Sequence, residues 1–266
     1  MNDIESYLGK TVKITVDRPL GSAHPKFPSL IYPVNYGYIP ETIGGDGEEI
    51  DVYLLGVDEP VAEYTAKIIG VIYREDDTEQ KLVAAPDGVV LHQGEIAEAV
   101  HFQERFFKTE VEGLYQKSCG AIVYRENGGV REYLCLLQAR SGSYSVPKGH
   151  AEAFETEHRT AEREAREEAG IELCFIEGFR REMRYTVRET RKKTLVLFLA
   201  ECRGEPEYDG REISGHLWLP LEEAKKCLPS DYAPILDEAD AYAVKSTIEK
   251  GLPLEGKLRV SGDEVS

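Results

Sequence analysis

The chain has 266 residues, enough for one large domain or two small ones, and 41% of them are hydrophobic, which permits ordinary globular cores. Its formal net charge of -17 argues against binding to nucleic acids or to anionic membranes. The first ten residues contain no apolar signal segment, and no apolar run approaches membrane-spanning length. The five cysteines are widely spaced and odd in number, so we expect reduced, mostly buried thiols in a cytoplasmic protein.

Residues 11–113 are predicted to form a unit rich in β-strands. Val12–Val16 alternates apolar and polar side chains, as a half-buried strand does, and glycines and prolines separate the segments that follow. The other predicted elements of this unit are strands over 51–57, 66–73 and 81–85, a helix over 95–108 and a short connector over 109–117. We therefore predict two domains, 1–113 and 114–266.

Three blocks of this unit carry a resemblance to a known family. Residues 32–40 read Tyr-Pro-Val-Asn-Tyr-Gly-Tyr-Ile-Pro, residues 45–52 contain an acidic motif, and residues 70–86 hold an acidic run followed by Lys-Leu-Val-Ala-Ala-Pro. The unit resembles the soluble inorganic pyrophosphatases, which implies a β-barrel domain that binds Mg²⁺ around pyrophosphate. The resemblance implies metal ligands at Asp46, Glu48, Asp51 and Glu79, and phosphate contacts at Tyr36 and Lys81.

The same unit departs from the pyrophosphatase pattern at several places. Glu48 replaces a signature aspartate, the acidic run 75–79 is short, and the early basic segment is compressed to Arg18–Lys26, with His24 near the position of the family's arginine. Because function resides in sites rather than in folds, we expect metal binding with weak or no pyrophosphate hydrolysis. An active pyrophosphatase and a regulatory ligand-binding domain are the alternatives.

The second unit is predicted to alternate strands and helices around one central helix. That helix runs from about residue 160 to Gly170, and the small side chains of Ala161 and Ala165, one turn apart, allow it to pack closely on a sheet. The other predicted elements are a hairpin of strands 119–124 and 133–138 around the turn 127–129, strands 175–184, 194–200 and 218–220, and helices 221–227 and 232–250.

Three carboxylates share one face of the central helix. Glu164, Glu167 and Glu168 stand at positions i, i+3 and i+4, where like charges destabilise a bare helix. A hard divalent cation such as Mg²⁺ would relieve this repulsion, because it prefers carboxylate oxygens as ligands. The alternative is a solvated acidic helix.

The whole stretch 149–171 reads Gly, five residues, Glu, seven residues, then Arg-Glu-apolar-any-Glu-Glu-any-Gly-apolar. This pattern resembles the Nudix box, so residues from about 118 to about 250 resemble a Nudix hydrolase, an α/β/α sandwich, and the whole chain is of the α+β class. A further glutamate is implied in a later loop, where Glu212 is the match as metal ligand or general base, and His216 is a weaker alternative. The resemblance implies that Mg²⁺, with Mn²⁺ as an alternative, is held by Gly149, Glu152, Glu164, Glu167 and Glu168.

Segments around the box narrow the choice of substrate. Residues 147–150 read Pro-Lys-Gly-His, residues 177–185 are rich in arginine, and a lysine pair follows at 192–193. This set looks like the asymmetrical diadenosine tetraphosphate hydrolases, in which a lysine before the box glycine contacts phosphate. By that resemblance the substrate-binding residues are Lys148, His150, Arg181 and Lys193, with Tyr185 and Tyr232 as candidates to stack on adenine or, alternatively, to pack in the core.

The predicted function is therefore Mg²⁺-dependent hydrolysis of dinucleoside polyphosphates, with diadenosine tetraphosphate yielding ATP and AMP. The alternatives are a housecleaning or RNA-cap-type nucleotide hydrolase and an enzyme acting on inositol polyphosphates. The partner is a small-molecule nucleotide, with pyrophosphate as a second ligand of the first unit, and the oligomeric state is left open. The catalytic residues implied are Lys148, Glu164, Glu167, Glu168 and Glu212.

Overall fold

The computed structural model describes residues 4–187, 191–202 and 204–249. The chain divides into two compact units, the first made of residues 1–118, 150–156 and 183–195, and the second of residues 119–149, 157–182 and 196–266. Two short segments that follow residue 118 therefore belong to the first unit. In the described ranges, no helix is both long and apolar enough to cross a membrane.

The first sheet closes on itself. Its strands are β1 (Thr11–Arg18), β2 (Asn35–Tyr38), β3 (Asp51–Leu54), β4 (Glu63–Arg74), β5 (Lys81–Ala85) and β6 (Thr109–Gly113). They lie in the order β1-β2-β3-β5-β4-β6, and an additional pairing of β1 with β4 makes the first five strands a closed barrel. The β3–β5 pair is parallel and the other described pairs are antiparallel. The predicted barrel is confirmed.

The connector predicted over 109–117 was wrong. Thr109–Gly113 forms β6, which pairs antiparallel with β4, with Val111 opposite Ile72. Val111 packs against the core, while the glutamates on either side of it carry the polar positions. This five-residue strand is too short and too acidic for an alternation of apolar and polar side chains to be recognised in the sequence.

Helix α1 (Gln93–Glu104) joins the barrel through an aromatic cluster. Ile96 and Val100 of the helix pack with Tyr36 and Tyr53, which stand opposite each other on β2 and β3. The helix begins two residues before the prediction and ends four residues before it, where Arg105 is its C-terminal cap. This packing buries the Tyr36 ring, which is 2% exposed.

The second sheet has seven strands. They are β7 (Tyr115–Asn127), β8 (Val130–Gln138), β9 (Tyr144–Ser145), β10 (Lys148–His150), β11 (Leu173–Val187), β12 (Arg191–Cys202) and β13 (Ile213–Pro220). Five of them lie in the order β11-β12-β7-β8-β13, β10 pairs with β7, and β9 pairs with β8. The predicted hairpin is confirmed, because Asn127 pairs with Val130 across the turn.

The helices of this part are α2 (Glu157–Ala169), α3 (Leu221–Cys227) and α4 (Ala233–Glu249). Ala165 and Ala169 of α2 pack against Val123 and Leu134 of the sheet, and Ala161 packs in a neighbouring cluster. The small residues therefore bring α2 close to the sheet, as the sequence predicted. The α+β class is confirmed, while residue 250 of the predicted last helix lies outside the described residues.

Candidate active site

The carboxyl group of Glu168 is held on the buried side of α2. The residue is 8% exposed, and the backbone N–H of Lys148 donates a hydrogen bond to Glu168 Oε2 over 3.0 Å. Burial above all, together with the charges of Glu164 and Glu212, raises the pKa of Glu168 to about 7, although the backbone hydrogen bond and the positive charge of Lys148 act to lower it. A carboxylate that is costly to ionise beside other carboxylates favours a bound cation.

Glu164 lies directly against the glycine of the box. A Cβ atom built on Gly149 would stand 2.0 Å from the Glu164 Cδ atom, so only glycine leaves room for this carboxylate. Arg163 Nη1 donates to Glu164 Oε1 over 2.7 Å and to Glu167 Oε2 over 3.0 Å. The arginine therefore neutralises part of the carboxylate charge of this face.

The donor set of α2 fits a hard divalent cation, because carboxylate and carbonyl oxygens are the ligands that Mg²⁺ prefers. Glu164, Glu167 and Glu168 would supply the carboxylates, and Gly149, whose Cα atom faces the Glu164 carboxylate, would add its carbonyl. In the part of the chain that the structure describes, no group of three His, Cys, Asp or Glu side chains is already arranged around a metal position. Instead, Arg163 binds the carboxylates of Glu164 and Glu167, and the backbone N–H of Lys148 binds that of Glu168.

Four of the residues predicted for the Nudix site belong to the first unit, namely His150, Glu152, Tyr185 and Lys193. The backbone N–H of Glu152 donates to Glu155 Oε2 over 3.1 Å. Lys193 Nζ lies 3.3 Å from His150 Nε2, and an ammonium group can only donate, so this ring nitrogen accepts. The structure thus brings His150 and Lys193 together, on two segments that are far apart in sequence.

Glu212 precedes β13, where its backbone carbonyl accepts a hydrogen bond from the Ala139 N–H over 2.8 Å. Its side chain is exposed, and its charge is one of the causes that raise the pKa of Glu168. His216, the alternative, bonds to Tyr208 through Nδ1 over 3.2 Å, and its Nε2 faces Glu205 at 3.7 Å. The charge of Glu212 acts on Glu168, whereas His216 is bound to Tyr208, so Glu212 remains the stronger candidate.

The remaining candidate substrate-binding residues differ in how far their side chains are exposed to solvent. Arg181 pairs with Glu238 and lies over the Phe179 ring at 4.6 Å from the centroid. Tyr185 is 41% exposed, whereas Tyr232 is 5% exposed. Tyr185 therefore has a ring face available to a base, and burial favours the packing role for Tyr232.

The barrel brings together four of its six predicted residues, because Tyr36, Asp51 and Glu79 surround the buried Lys81. Lys81 is 1% exposed, and its Nζ donates to Tyr36 Oη at 2.5 Å, Asp51 Oδ2 at 2.7 Å and Glu79 Oε1 at 2.5 Å. The Tyr36 hydroxyl donates to Asp51, and burial raises the pKa of Tyr36 well above its usual value. The group joins a cation and a phenol to two carboxylates.

Asp46 and Glu48 are not hydrogen-bond partners of Lys81. Both are exposed in the loop that follows β2, where Asp46 Oδ1 accepts the backbone N–H of Glu48 over 3.0 Å. The guanidinium of Arg18 lies 5.1 Å from the centroid of the Tyr36 ring, and the His24 ring stacks on Tyr32 with centroids 6.0 Å apart. A basic side chain from the end of β1, that of Arg18, therefore lies beside Tyr36.

Sequence reasoning missed the second buried cation of the barrel. The side chain of Arg74 is 2% exposed, and it forms a two-point ion pair with Glu104 over 2.9 and 2.7 Å. Its Nη1 also donates to Glu79 Oε2 over 2.9 Å. Glu104 could have been found, because it continues the apolar stripe of Ile96 and Val100 at four-residue spacing, where a charge indicates a buried partner.

We expect Lys81→Met to destabilise the protein by about 3–5 kcal/mol, because it leaves two carboxylates without their buried cation. Lys13→Met is the matched control, since Lys13 pairs with Glu63 at 2.7 Å with both side chains at least 60% exposed. That change is expected to cost at most about 1 kcal/mol. Chemical denaturation of the full-length variants measures both, and equal losses would contradict the proposed buried group.

The comparisons with known proteins agree with this geometry. The NUDIX domain model matches residues 114–239, and the inorganic pyrophosphatase model matches residues 3–110. The chain is 40% identical over 124 residues to the asymmetrical bis(5'-nucleosyl)-tetraphosphatase of Mus musculus, covering 41% of this chain and 81% of the relative. The chain belongs to the Nudix family. As a Nudix hydrolase, it is an enzyme that acts on phosphoric anhydrides.

This Nudix hydrolase also carries an inorganic pyrophosphatase domain. The chain is 33% identical over 115 residues to the inorganic pyrophosphatase of Nanoarchaeum equitans, covering 37% of this chain and 68% of the relative. Among solved structures, a C. elegans Ap4A hydrolase binary complex is similar, with 26% identity, a TM-score of 0.46, and coverage of 49% of this chain and 98% of that chain. Both families generally use divalent metal ions.

Proposed function

We propose that this Nudix hydrolase cleaves dinucleoside polyphosphates in a Mg²⁺-dependent reaction at the carboxylate face of α2. The observation that carries the proposal is the buried Glu168, fixed by the Lys148 backbone beside a Glu164 carboxylate that is packed on Gly149. The 40% identity to a tetraphosphatase supports the choice of substrate class. With diadenosine tetraphosphate, we expect off-centre cleavage to ATP and AMP.

The proposed role of each residue in the α2 site follows from the chemistry of its side chain. Glu164, Glu167 and Glu168 would hold Mg²⁺, or alternatively Mn²⁺, together with the Gly149 carbonyl and Glu152. When bound, the ion polarises phosphoryl oxygens and lowers the pKa of a bound water. Phosphoryl transfer requires mainly positioning and charge neutralisation from the protein.

The formal net charge of -17 would repel a polyphosphate, so cationic side chains must neutralise phosphate charge at the site. Lys148 and the His150–Lys193 pair would neutralise phosphate charge, and Arg181 could join them only by releasing Glu238. Glu212 would accept the proton of the attacking water as general base. The open ring of Tyr185 would stack on adenine.

We propose that residues 1–113 form the pyrophosphatase-like domain and residues 114–266 the Nudix domain. The first domain would bind Mg²⁺ or Mn²⁺ but hydrolyse pyrophosphate weakly or not at all. Lys81 and Arg74 already neutralise Asp51 and Glu79, so a metal ion must compete with two buried cations. The same Lys81–Tyr36 group favours the second candidate function, an active pyrophosphatase, because these are phosphate-binding groups.

The test is a substrate panel on the full-length protein with Mg²⁺, comparing diadenosine polyphosphates, nucleoside triphosphates and pyrophosphate. We expect the highest kcat/KM for diadenosine tetraphosphate. Preference for a nucleoside triphosphate would instead indicate a housecleaning enzyme. Fast pyrophosphate turnover that is lost in the Asp51→Asn plus Glu79→Gln variant, while dinucleotide cleavage persists, would show two activities.

A further inference from the structure

The first residue of α1 binds two separate backbone segments of the first unit. Gln93 Nε2 donates to the carbonyls of Lys117 over 2.8 Å and Ala151 over 3.1 Å, and Gln93 Oε1 accepts the Lys117 N–H over 2.8 Å. The Ala151 N–H donates to the same Lys117 carbonyl over 3.0 Å. One carboxamide therefore ties the start of β7 to the segment that follows the box glycine.

Two more contacts hold that segment against α1. A Cβ atom on Gly94 would stand 3.0 Å from the carbonyl oxygens of both Ala151 and Glu152, so the helix approaches the backbone closely. His101, two turns later, packs edge-on against the Phe154 ring with centroids 5.1 Å apart. Phe154 has φ of +64°, a conformation that costs free energy and persists only when its surroundings fix it.

The helix itself is firmly fixed. Glu95 caps its beginning by accepting the backbone N–H of His92 over 2.8 Å, and Ile96 and Val100 are fully buried in the barrel's aromatic cluster. A rigid element that holds a loop can set the position of the loop's side chains. The held segment, residues 150–154, includes His150 and Glu152.

We propose that Gln93 is a positioning residue for the Nudix reaction, through which the pyrophosphatase-like domain fixes residues 150–154. The inference rests on the proposed function, in which His150 meets phosphate and Glu152 is a metal ligand. It gives the pyrophosphatase-like domain a role that requires no turnover of its own. The domain supplies a rigid support for the segment that leaves the Nudix box.

Gln93→Glu is the sharpest variant, because it keeps the size of the side chain, replaces its hydrogen-bond donor by an acceptor and adds a negative charge. The acceptor toward the Lys117 N–H is retained, but the donor that serves two carbonyls becomes an oxygen facing them at 2.8 and 3.1 Å. Gln93→Ala removes all three bonds without adding charge. Glu98→Ala is the matched control, since Glu98 is exposed on the same helix.

The measurements use the full-length protein. Hydrogen exchange at residues 150–154 should become faster in both Gln93 variants, with exchange in α2 and the unfolding temperature close to those of Glu98→Ala. The Mg²⁺ concentration for half-maximal hydrolysis of diadenosine tetraphosphate should rise, or kcat/KM fall, roughly 10- to 100-fold, as for residues that orient metal ligands. A purely structural role would move the unfolding temperature without this selective change.

The outcomes separate the two proposals. If wild-type protein cleaves diadenosine tetraphosphate and Gln93→Glu matches Glu98→Ala in exchange, Mg²⁺ requirement and kcat/KM, the positioning role is overturned and the function stands. If wild-type protein does not cleave dinucleoside polyphosphates, the proposed function fails. The exchange at 150–154 then still decides whether Gln93 holds the segment.

Discussion

Glu168→Gln is expected to lower the kcat for diadenosine tetraphosphate about a hundred- to a thousandfold, the range seen when one preorganised charge-stabilising group is lost. The substitution removes the charge of a proposed metal ligand from the carboxylate face of α2 but keeps an oxygen that can accept the Lys148 N–H. Burial already makes this carboxyl group costly to ionise, so a neutral side chain is tolerated there. The unfolding temperature should therefore stay near that of the wild type.

The control for this prediction lies on the same helix. Glu162 is exposed on α2, and Glu162→Gln removes the same charge from a position outside the carboxylate face. We expect near-normal turnover in that variant and a large loss in Glu167→Gln, since Glu167 shares Arg163 with Glu164. Near-normal activity in either Glu167→Gln or Glu168→Gln would end the assignment of that residue as a ligand.

Gly149→Ala is expected to reduce kcat about a hundredfold, because small displacements of reacting groups can cost that much. The new Cβ would stand 2.0 Å from Glu164 Cδ, a distance that real atoms cannot keep. The carboxylate at the end of a flexible side chain must therefore swing away, which costs little stability but removes a proposed metal ligand. Steady-state kinetics together with thermal unfolding would separate the two effects.

Gly215→Ala provides the comparison for the glycine change. The nearest atom to a Cβ built on Gly215 is Leu137 Cδ2 at 3.5 Å, an ordinary van der Waals contact. That variant should keep both its stability and its kcat. If Gly149→Ala behaves like Gly215→Ala, the close packing of Glu164 on the box glycine is not needed for hydrolysis.

The central helix could be predicted because its signals are local. The spacing of Glu164, Glu167 and Glu168 defines one helix face, and Ala161 and Ala165 define the face that packs on the sheet. Local periodicity of this kind depends only on the geometry of one element.

Contacts between distant segments could not be predicted in the same way. Arg74 meets Glu104 only after a strand and a helix have packed, and Gln93 reaches Ala151 across 58 positions of sequence. The membership of residues 150–156 and 183–195 in the first compact unit likewise depends on contacts between segments that are distant in sequence. Family motifs supplied Tyr36, Asp51 and Lys81, but the buried cations around them required the three-dimensional structure.

The most direct test of the central claim is the identity of the products that wild-type protein and Glu168→Gln form from diadenosine tetraphosphate with Mg²⁺. Chromatography of the reaction should show equal amounts of ATP and AMP from the wild type and almost no product from the variant. Two molecules of ADP as the main product would contradict asymmetrical cleavage. Undiminished product formation by Glu168→Gln would contradict the assignment of the reaction to the α2 carboxylates.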